Sequence, residues 1–333
     1  MTGSIVIACP NLSLDRTMLV DRVSIGSVHR SVEADVRGGG KGVNIARALS
    51  RMNGGDAVVV GIAAGHTGRA VLGLLADEGI TTGAIECPGE TRSCLTVVSE
   101  DRVTVFNEEG PFVDDRHWRD YEDSVISLLD RAAGRPRPDR SSPGVFVCSG
   151  SFPPGAPAEG AARLVTAARA AGYLSICDTS GEQLAAALGA RPDLVKPNLP
   201  EAEAVLGAGG DEPVDPGDDA LERALAAAER LIERGPRAVV VSAGSAGASL
   251  VDSEKGMTWG AAPVKVVNPV GAGDCLVAGY VIGQRRGNSR SDSVALGLAM
   301  AGASCETFYA GDLLAERARD LQAAYFADAE RGR

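Results

Sequence analysis

Val264–Gly279 reads VKVVNPVGAGDCLVAG, and the reading of the whole chain turns on it. Val264, Val266 and Val267 predict a short apolar strand, Gly271-Ala272-Gly273 a turn, and a helix opens near Gly273 or Asp274. Two glycines let backbone N–H groups crowd together, and the helix behind them adds its positive dipole end. Such a turn binds anions. An aspartate there carries the wrong sign for a group that only holds phosphate. Asp274 makes chemical sense as a general base, where a hydroxyl meets a transferring phosphoryl group. It also makes sense as a plain helix cap.

The rest of the chain narrows the choice. Its 333 residues suffice for one large α/β domain with an appendage, or for two domains. The composition, 44% apolar and 23% charged, is that of a globular chain. The formal net charge of −11 argues against a nucleic-acid partner. Seven cysteines without a CxxC pair suit free thiols in a reducing cytoplasm. The start, MTGSIVIACP, lacks a basic stretch before its short apolar run, and no segment approaches a membrane span. A cytoplasmic protein with no membrane partner is expected.

Val145–Cys148, Leu174–Cys177, Leu194–Val195, Val239–Val241 and Val264–Val267 are short β-branched runs, and helical patterns near 157–171, 182–189 and 218–234 separate most of them. That alternation predicts a parallel sheet with helices on both faces, with Ala248–Val251 as an antiparallel edge. Met18–Val36 and Leu95–Phe106 alternate weakly and predict a small, partly exposed sheet. Arg135–Pro143 reads as a surface loop prone to disorder. The expected division is an α/β core over 1–10, 38–87 and 111–333, with a discontinuous β-sheet lid over 11–37 and 88–110.

In an open α/β sheet, ligands bind beyond the carboxyl ends of the strands. The residues there are rich in Gly, Asn, Asp and Ser. Gly38–Asn44 (GGGKGVN) puts glycines, Lys41 and Asn44 at a helix start, suited to a hydroxylated anion or to a hinge. It is not a Walker A loop, since Gly42 follows Lys41 and Asp35 stands where the first glycine belongs. Asn198 and Glu201, one turn apart in KPNLPE, could share a hydrated Mg²⁺ or simply cap a helix. Ser242–Gly247 (SAGSAG) is a glycine turn able to admit a nucleotide. Arg92 suits a phosphate, or solvent at a lid edge. His29, His66 and His117 lack metal-ligand spacing.

Taken together, these stretches resemble the PfkB (ribokinase-like) carbohydrate kinase family. GGGKGVNIARAL is similar to its first signature and NPVGAGDCLVAGY to its second, with KPNLPE and SAGSAGASLV between them in the family's order. NLSLDRT, GETR, FNEEGP and SGSFPPGAP resemble the branch of 1-phosphofructokinases and tagatose-6-phosphate kinases. Leu12 departs from the branch's usual proline, and Cys275 from the usual Ser or Thr. The resemblance implies a Rossmann-like ribokinase fold with a mostly parallel central sheet and a small β-sheet lid. It implies Asp274 as base and Gly271, Ala272 and Gly273 as anion hole. It implies Asp15, Gly39, Gly40, Lys41 and Asn44 as sugar contacts, and Arg92 at the sugar phosphate. Lys196, Asn198, Ser242, Gly244 and Gly247 would meet the nucleotide, and Glu201 a metal through water. ATP and Mg²⁺ are the implied cofactors, and a homodimer through the lid the implied assembly. The expected reaction is phosphorylation of fructose 1-phosphate. Fructose 6-phosphate, tagatose 6-phosphate and unphosphorylated sugars or nucleosides stand as alternatives, and a non-catalytic sugar-phosphate sensor as a remote one.

Overall fold

The structure, a computed structural model, describes residues 5–100, 102–133, 143–208 and 217–331. The Arg135–Pro143 expectation therefore falls almost wholly outside the described residues.

Short apolar runs build the main sheet because both faces are covered. The strands β1 (Ile5–Asn11), β4 (Ala57–Ala64), β5 (Thr81–Cys87), β8 (Val145–Ser149), β9 (Leu174–Asp178), β10 (Leu194–Val195) and β11 (Ala238–Ser242) run parallel. β12 (Gly247–Asp252) turns back antiparallel, and β13 (Gly256–Gly260) pairs antiparallel with β12. The order across the sheet is β13-β12-β11-β10-β9-β8-β1-β4-β5. β1 and β8 are buried at every residue, as expected of central parallel strands.

One face is packed by α1 (Lys41–Arg51), α2 (Gly65–Asp77), α8 (Ala272–Arg285), α9 (Arg290–Cys305) and α10 (Ala315–Arg331). The other carries α3 (Asp115–Ala133), α4 (Gly160–Ala170), α5 (Gly181–Gly189), α6 (Leu199–Val205) and α7 (Ala220–Ile232). Two apolar cores result, one on each side of the strands.

The second sheet has four strands in the order β3-β2-β6-β7: β2 (Ser13–Leu19), β3 (Glu33–Gly39), β6 (Arg92–Val98) and β7 (Val103–Asn107). Its register lines up Gly39, Ser13 and Arg92 at one end, with Asp15 two residues further along β2. Only Leu12 separates β2 from β1. It is buried and lies so close over Gly61 that a Cβ there would meet its Cγ at 2.5 Å. Leucine in place of proline thus fills the seam between the two sheets.

Two expectations need correction, and one strand was not foreseen. Val264–Val267 is not a strand: Val266 is 56% exposed, and the segment instead borders the cleft. With β12 and β13 already completing that side of the sheet, its alternating valines have no strand to pair with. Residues 20–32 lie between β2 and β3 rather than inside a strand. Thr81–Cys87 forms an edge strand that the sequence pattern did not reveal, because TTGAIEC lacks a clean apolar run.

Candidate active site

The carboxyl ends of the core strands and one end of the small sheet enclose a cleft of about 1500 Å³. That exceeds the roughly 300–1,000 Å³ of single-ligand pockets and leaves room for two molecules. Asp15, Gly40, Lys41, Asn44, Arg92, Lys196, Asn198, Glu201, Ser242, Gly244, Gly247, Gly271, Ala272, Gly273 and Asp274 all line it. Gly39 stands just behind: a Cβ on it would fall 2.0 Å from the Asp15 carboxyl carbon, so only glycine lets β3 pass there.

The anion turn forms as its sequence demands. Gly271 caps α8 in the left-handed region, at φ 86°, and a Cβ there would lie 2.5 Å from the Gly311 nitrogen. Glycine is required on both counts. The Ala272 N–H reaches Pro269 O at 3.2 Å and the Asp274 N–H reaches Gly271 O at 3.1 Å. Asp274 does not cap the helix with its side chain. Its carboxylate is buried, and Asn44 Nδ2 donates to its Oδ2 at 2.8 Å. Burial, joined by the like charge of Asp178, pushes the Asp274 carboxyl up to about 7, against Lys41, Asn44 and Lys196. A carboxylate poised near neutral pH in a cleft suits proton transfer.

Charges around it are paired. Lys41 Nζ lies 3.3 Å from Glu201 Oε1 and 3.5 Å from Asp178 Oδ1. Burial alone would lower its pKa, but those two carboxylates outweigh burial and raise it. Lys196, 3% exposed, lies 3.4 Å from Asp178 Oδ1, and a Cβ on Gly273 would be 3.3 Å from its Nζ. Fully buried Asp178 therefore anchors both lysines beneath the turn. Its place at the end of β9 was a legible signal that the sequence reading left without a role.

Asn198 and Glu201 form a capping box on α6. Asn198 Oδ1 accepts from Glu201 N at 2.8 Å, and Glu201 Oε2 accepts from Asn198 N at 2.9 Å. Among the described residues, no three His, Cys, Asp or Glu side chains converge as a metal cage. Both Glu201 oxygens already have protein partners, so the pair fits a cation that keeps its waters rather than one directly ligated.

Asn44, expected at a sugar hydroxyl, has both ends of its amide on protein atoms, since Arg47 Nη1 donates to its Oδ1 at 2.9 Å. Arg92 reaches Asn11 O and Glu108 O at 3.3 and 3.5 Å, and its buried Nε has no partner. A guanidinium so loosely held can still accept an anionic ligand. Burial pushes the Asp15 carboxyl up, against Ser13 and Arg92.

Beyond Gly271 the cleft turns apolar, lined by Pro263, Val264, Leu298, Ala301 and Gly302. Sequence reading missed this wall, because its residues follow ordinary helix and loop patterns. Gly244 and Gly247 sit beside it, at a 3₁₀ turn between β11 and β12. Cys275 is buried in the core and outside the cleft, so its departure from Ser or Thr changes no cleft contact.

A glycine-built anion turn, a carboxylate at its end and space for two ligands are the parts of a kinase acting on an alcohol. The profile of the pfkB family carbohydrate kinases matches residues 11–317. The chain is 32% identical over 295 residues to the 1-phosphofructokinase of Haloferax volcanii, covering 88% of each chain. It is 33% identical over 270 residues to the ATP-dependent 6-phosphofructokinase isozyme 2 of Escherichia coli, covering 80% of this chain and 81% of the relative. Among solved structures, Escherichia coli phosphofructokinase-2 in complex with fructose-6-phosphate superimposes with TM-score 0.80 at 29% identity, over 97% of this chain and 99% of the other. The ribokinase of Arabidopsis thaliana, at 17% identity and TM-score 0.69, shares the fold. The chain belongs to the pfkB family and is an ATP-dependent sugar kinase of ribokinase-like fold. Among the described residues, no helix is long and apolar enough to cross a membrane.

Proposed function

We propose that this kinase phosphorylates fructose 1-phosphate to fructose 1,6-bisphosphate, with Asp274 as general base. The observation that carries the phosphorylated acceptor is Arg92, which lines the same cleft as Asp274 and whose NH groups make only long contacts, at 3.3 and 3.5 Å, to carbonyl oxygens. The GETR, FNEEGP and NPVGAGD stretches resemble the branch of 1-phosphofructokinases and tagatose-6-phosphate kinases, and within it the similarity to 1-phosphofructokinases supports the 1-phosphate. Asp274 accepts the proton of the acceptor hydroxyl, and the positive end of α8 with the glycine-turn backbone around Gly273 meets charge on the moving phosphoryl group. Asp15 and Gly40 border the sugar, with Lys41 between sugar and γ-phosphate. The turn holding Ser242, Gly244 and Gly247 and the apolar wall take the nucleotide. Glu201 and Asn198 would hold Mg²⁺ through its waters, and the ion supplies neutralisation of phosphate charge. The small sheet acts as a lid that excludes water from the transfer.

A second reading, fructose 6-phosphate as acceptor, is favoured by the similarity to phosphofructokinase-2. Turnover measured as ADP release on fructose 1-phosphate, fructose 6-phosphate, tagatose 6-phosphate and fructose decides between them. Highest kcat/KM on the 1-phosphate supports the first reading. Preference for either 6-phosphate replaces it, and preference for fructose removes Arg92 from the phosphate.

Val23, Ile25, Val28, Val32, Val105 and Phe106 are exposed apolar residues on the small sheet and its connections. They suit a homodimer in which two lids cover each other. Ile25→Lys combined with Phe106→Lys should yield monomers in light scattering; unchanged mass would remove the lid as the interface. Free thiols at all seven cysteines agree with a cytoplasmic site of action.

A further inference from the structure

Arg47 is a buried arginine of α1, only 4% exposed, outside the set of residues lining the cleft. Its fork holds the Glu78 carboxylate just beyond α2, at 2.6 and 2.9 Å. Its Nη2 donates to Gly38 O on β3 at 2.8 Å, and its Nη1 to Asn44 Oδ1 at 2.9 Å. A longer contact, 3.4 Å, reaches Ala310 O, beside the Gly311 backbone that backs Gly271.

The Asn44 amide lies between two partners that cannot exchange roles. Arg47 can only donate, and an ionised Asp274 can only accept. In the observed orientation the Asn44 oxygen meets the guanidinium and its NH₂ meets Asp274 Oδ2. Turning the amide over would set NH₂ against the guanidinium and oxygen against the carboxylate. Both bonds would be lost and replaced by like poles in a buried place. Glu78 takes up the Arg47 charge, so what reaches Asp274 is orientation more than positive potential.

We propose that Arg47 is a positioning residue of the kinase: by fixing the Asn44 amide it commits Asp274 Oδ2 to a hydrogen bond and leaves Oδ1 for the acceptor's hydroxyl. This rests on the reading of Asp274 as base. The same side chain holds Gly38 O at the end of β3, so the small sheet and the base share one anchor.

The test is a double-mutant cycle on kcat. Arg47→Met should lower kcat roughly 10- to 100-fold, the scale of a lost hydrogen bond to a charged group. KM for ATP should change little. The acid limb of the pH profile should move to higher pH, because an unfixed Asn44 no longer favours the carboxylate form. Asp178 on β9, Lys41 on α1 and Lys196 after β10 also face Asp274 and stay in place in the variant. In an Asn44→Ala background, Arg47→Met should cost far less, only what the loss of its Gly38 O anchor carries. Arg47→Lys, which keeps one donor for Asn44, should recover most of kcat. Additive losses, an unmoved acid limb, or a Lys variant as slow as the Met variant would overturn the relay. Should Arg47→Met fail to fold, Arg47→Leu, which likewise has no donor, enters the same cycle under the same criteria. Asp274→Asn separates the two readings. If it is inactive while Arg47→Met is normal, only the relay falls; if it is active, the base assignment falls too.

Discussion

In the nine-stranded sheet, β1 and β8 are buried at every position; in the four-stranded sheet, β7 ends in three exposed residues and β3 begins with two. The first sheet lies between two apolar cores. The second has little apolar packing and one end on the cleft. Burial on both faces fixes position, as the base and the anion turn require. The small sheet reaches the core through a few polar contacts, Arg37 to Asp312 at 3.2 Å and Arg47 to Gly38 O at 2.8 Å among them, and an element so held can open by breaking few bonds. On the function proposed above, chemistry belongs to the first and substrate access to the second.

Removing the base should separate the two most sharply. Asp274→Asn is expected to lower kcat roughly 10²- to 10⁴-fold or more, with little effect on ATP binding measured by calorimetry. Near-normal turnover would move the chemistry elsewhere. Next in size is a contrast in stability. Ile7→Ala, in fully buried β1, should cost about 2–5 kcal/mol in urea unfolding, whereas Met18→Ala, half-buried on β2, should cost less than about 1 kcal/mol. Equal losses would make the small sheet part of one rigid core. On the small sheet itself, Arg92→Ala should lower kcat/KM for the sugar phosphate roughly 10- to 100-fold and leave fructose nearly unaffected. A uniform loss would make Arg92 structural.

The smallest expected effect concerns pH. With its carboxyl up at about 7, Asp274 should make kcat/KM fall about tenfold per unit below that pH. The same shift bears on folding. A carboxyl whose folded pKa lies above its unfolded value stabilises the fold below the unfolded pKa and loses that contribution as pH rises through the folded one. Asp274→Asn should therefore raise Tm by a few degrees at pH 8, with no gain near pH 4. A gain that persists at pH 4 would reflect packing instead of charge.

Much of this was legible in the residues. Strong β-branched runs such as Val145–Cys148 marked the core strands, because burial on both faces demands apolar residues. The glycine turns marked the cleft, because few other residues tolerate their backbone. Two kinds of feature escaped. Val264–Val267 looks like a strand by composition, but pairing is a property of neighbours and not of valines. Asp178 and Arg47 look like ordinary charged residues, and only the fold reveals that one lies between two lysines and the other beneath Asn44. Their meaning depends on contacts between segments far apart in the chain.

Asn44 and Asp274, joined by a hydrogen bond, stand 230 residues apart. During synthesis, Asn44 on α1 leaves the ribosome long before its carboxylate partner exists. No chain that stops short of residue 274 can assemble this pair. The pair forms only when the last third of the polypeptide closes onto the first.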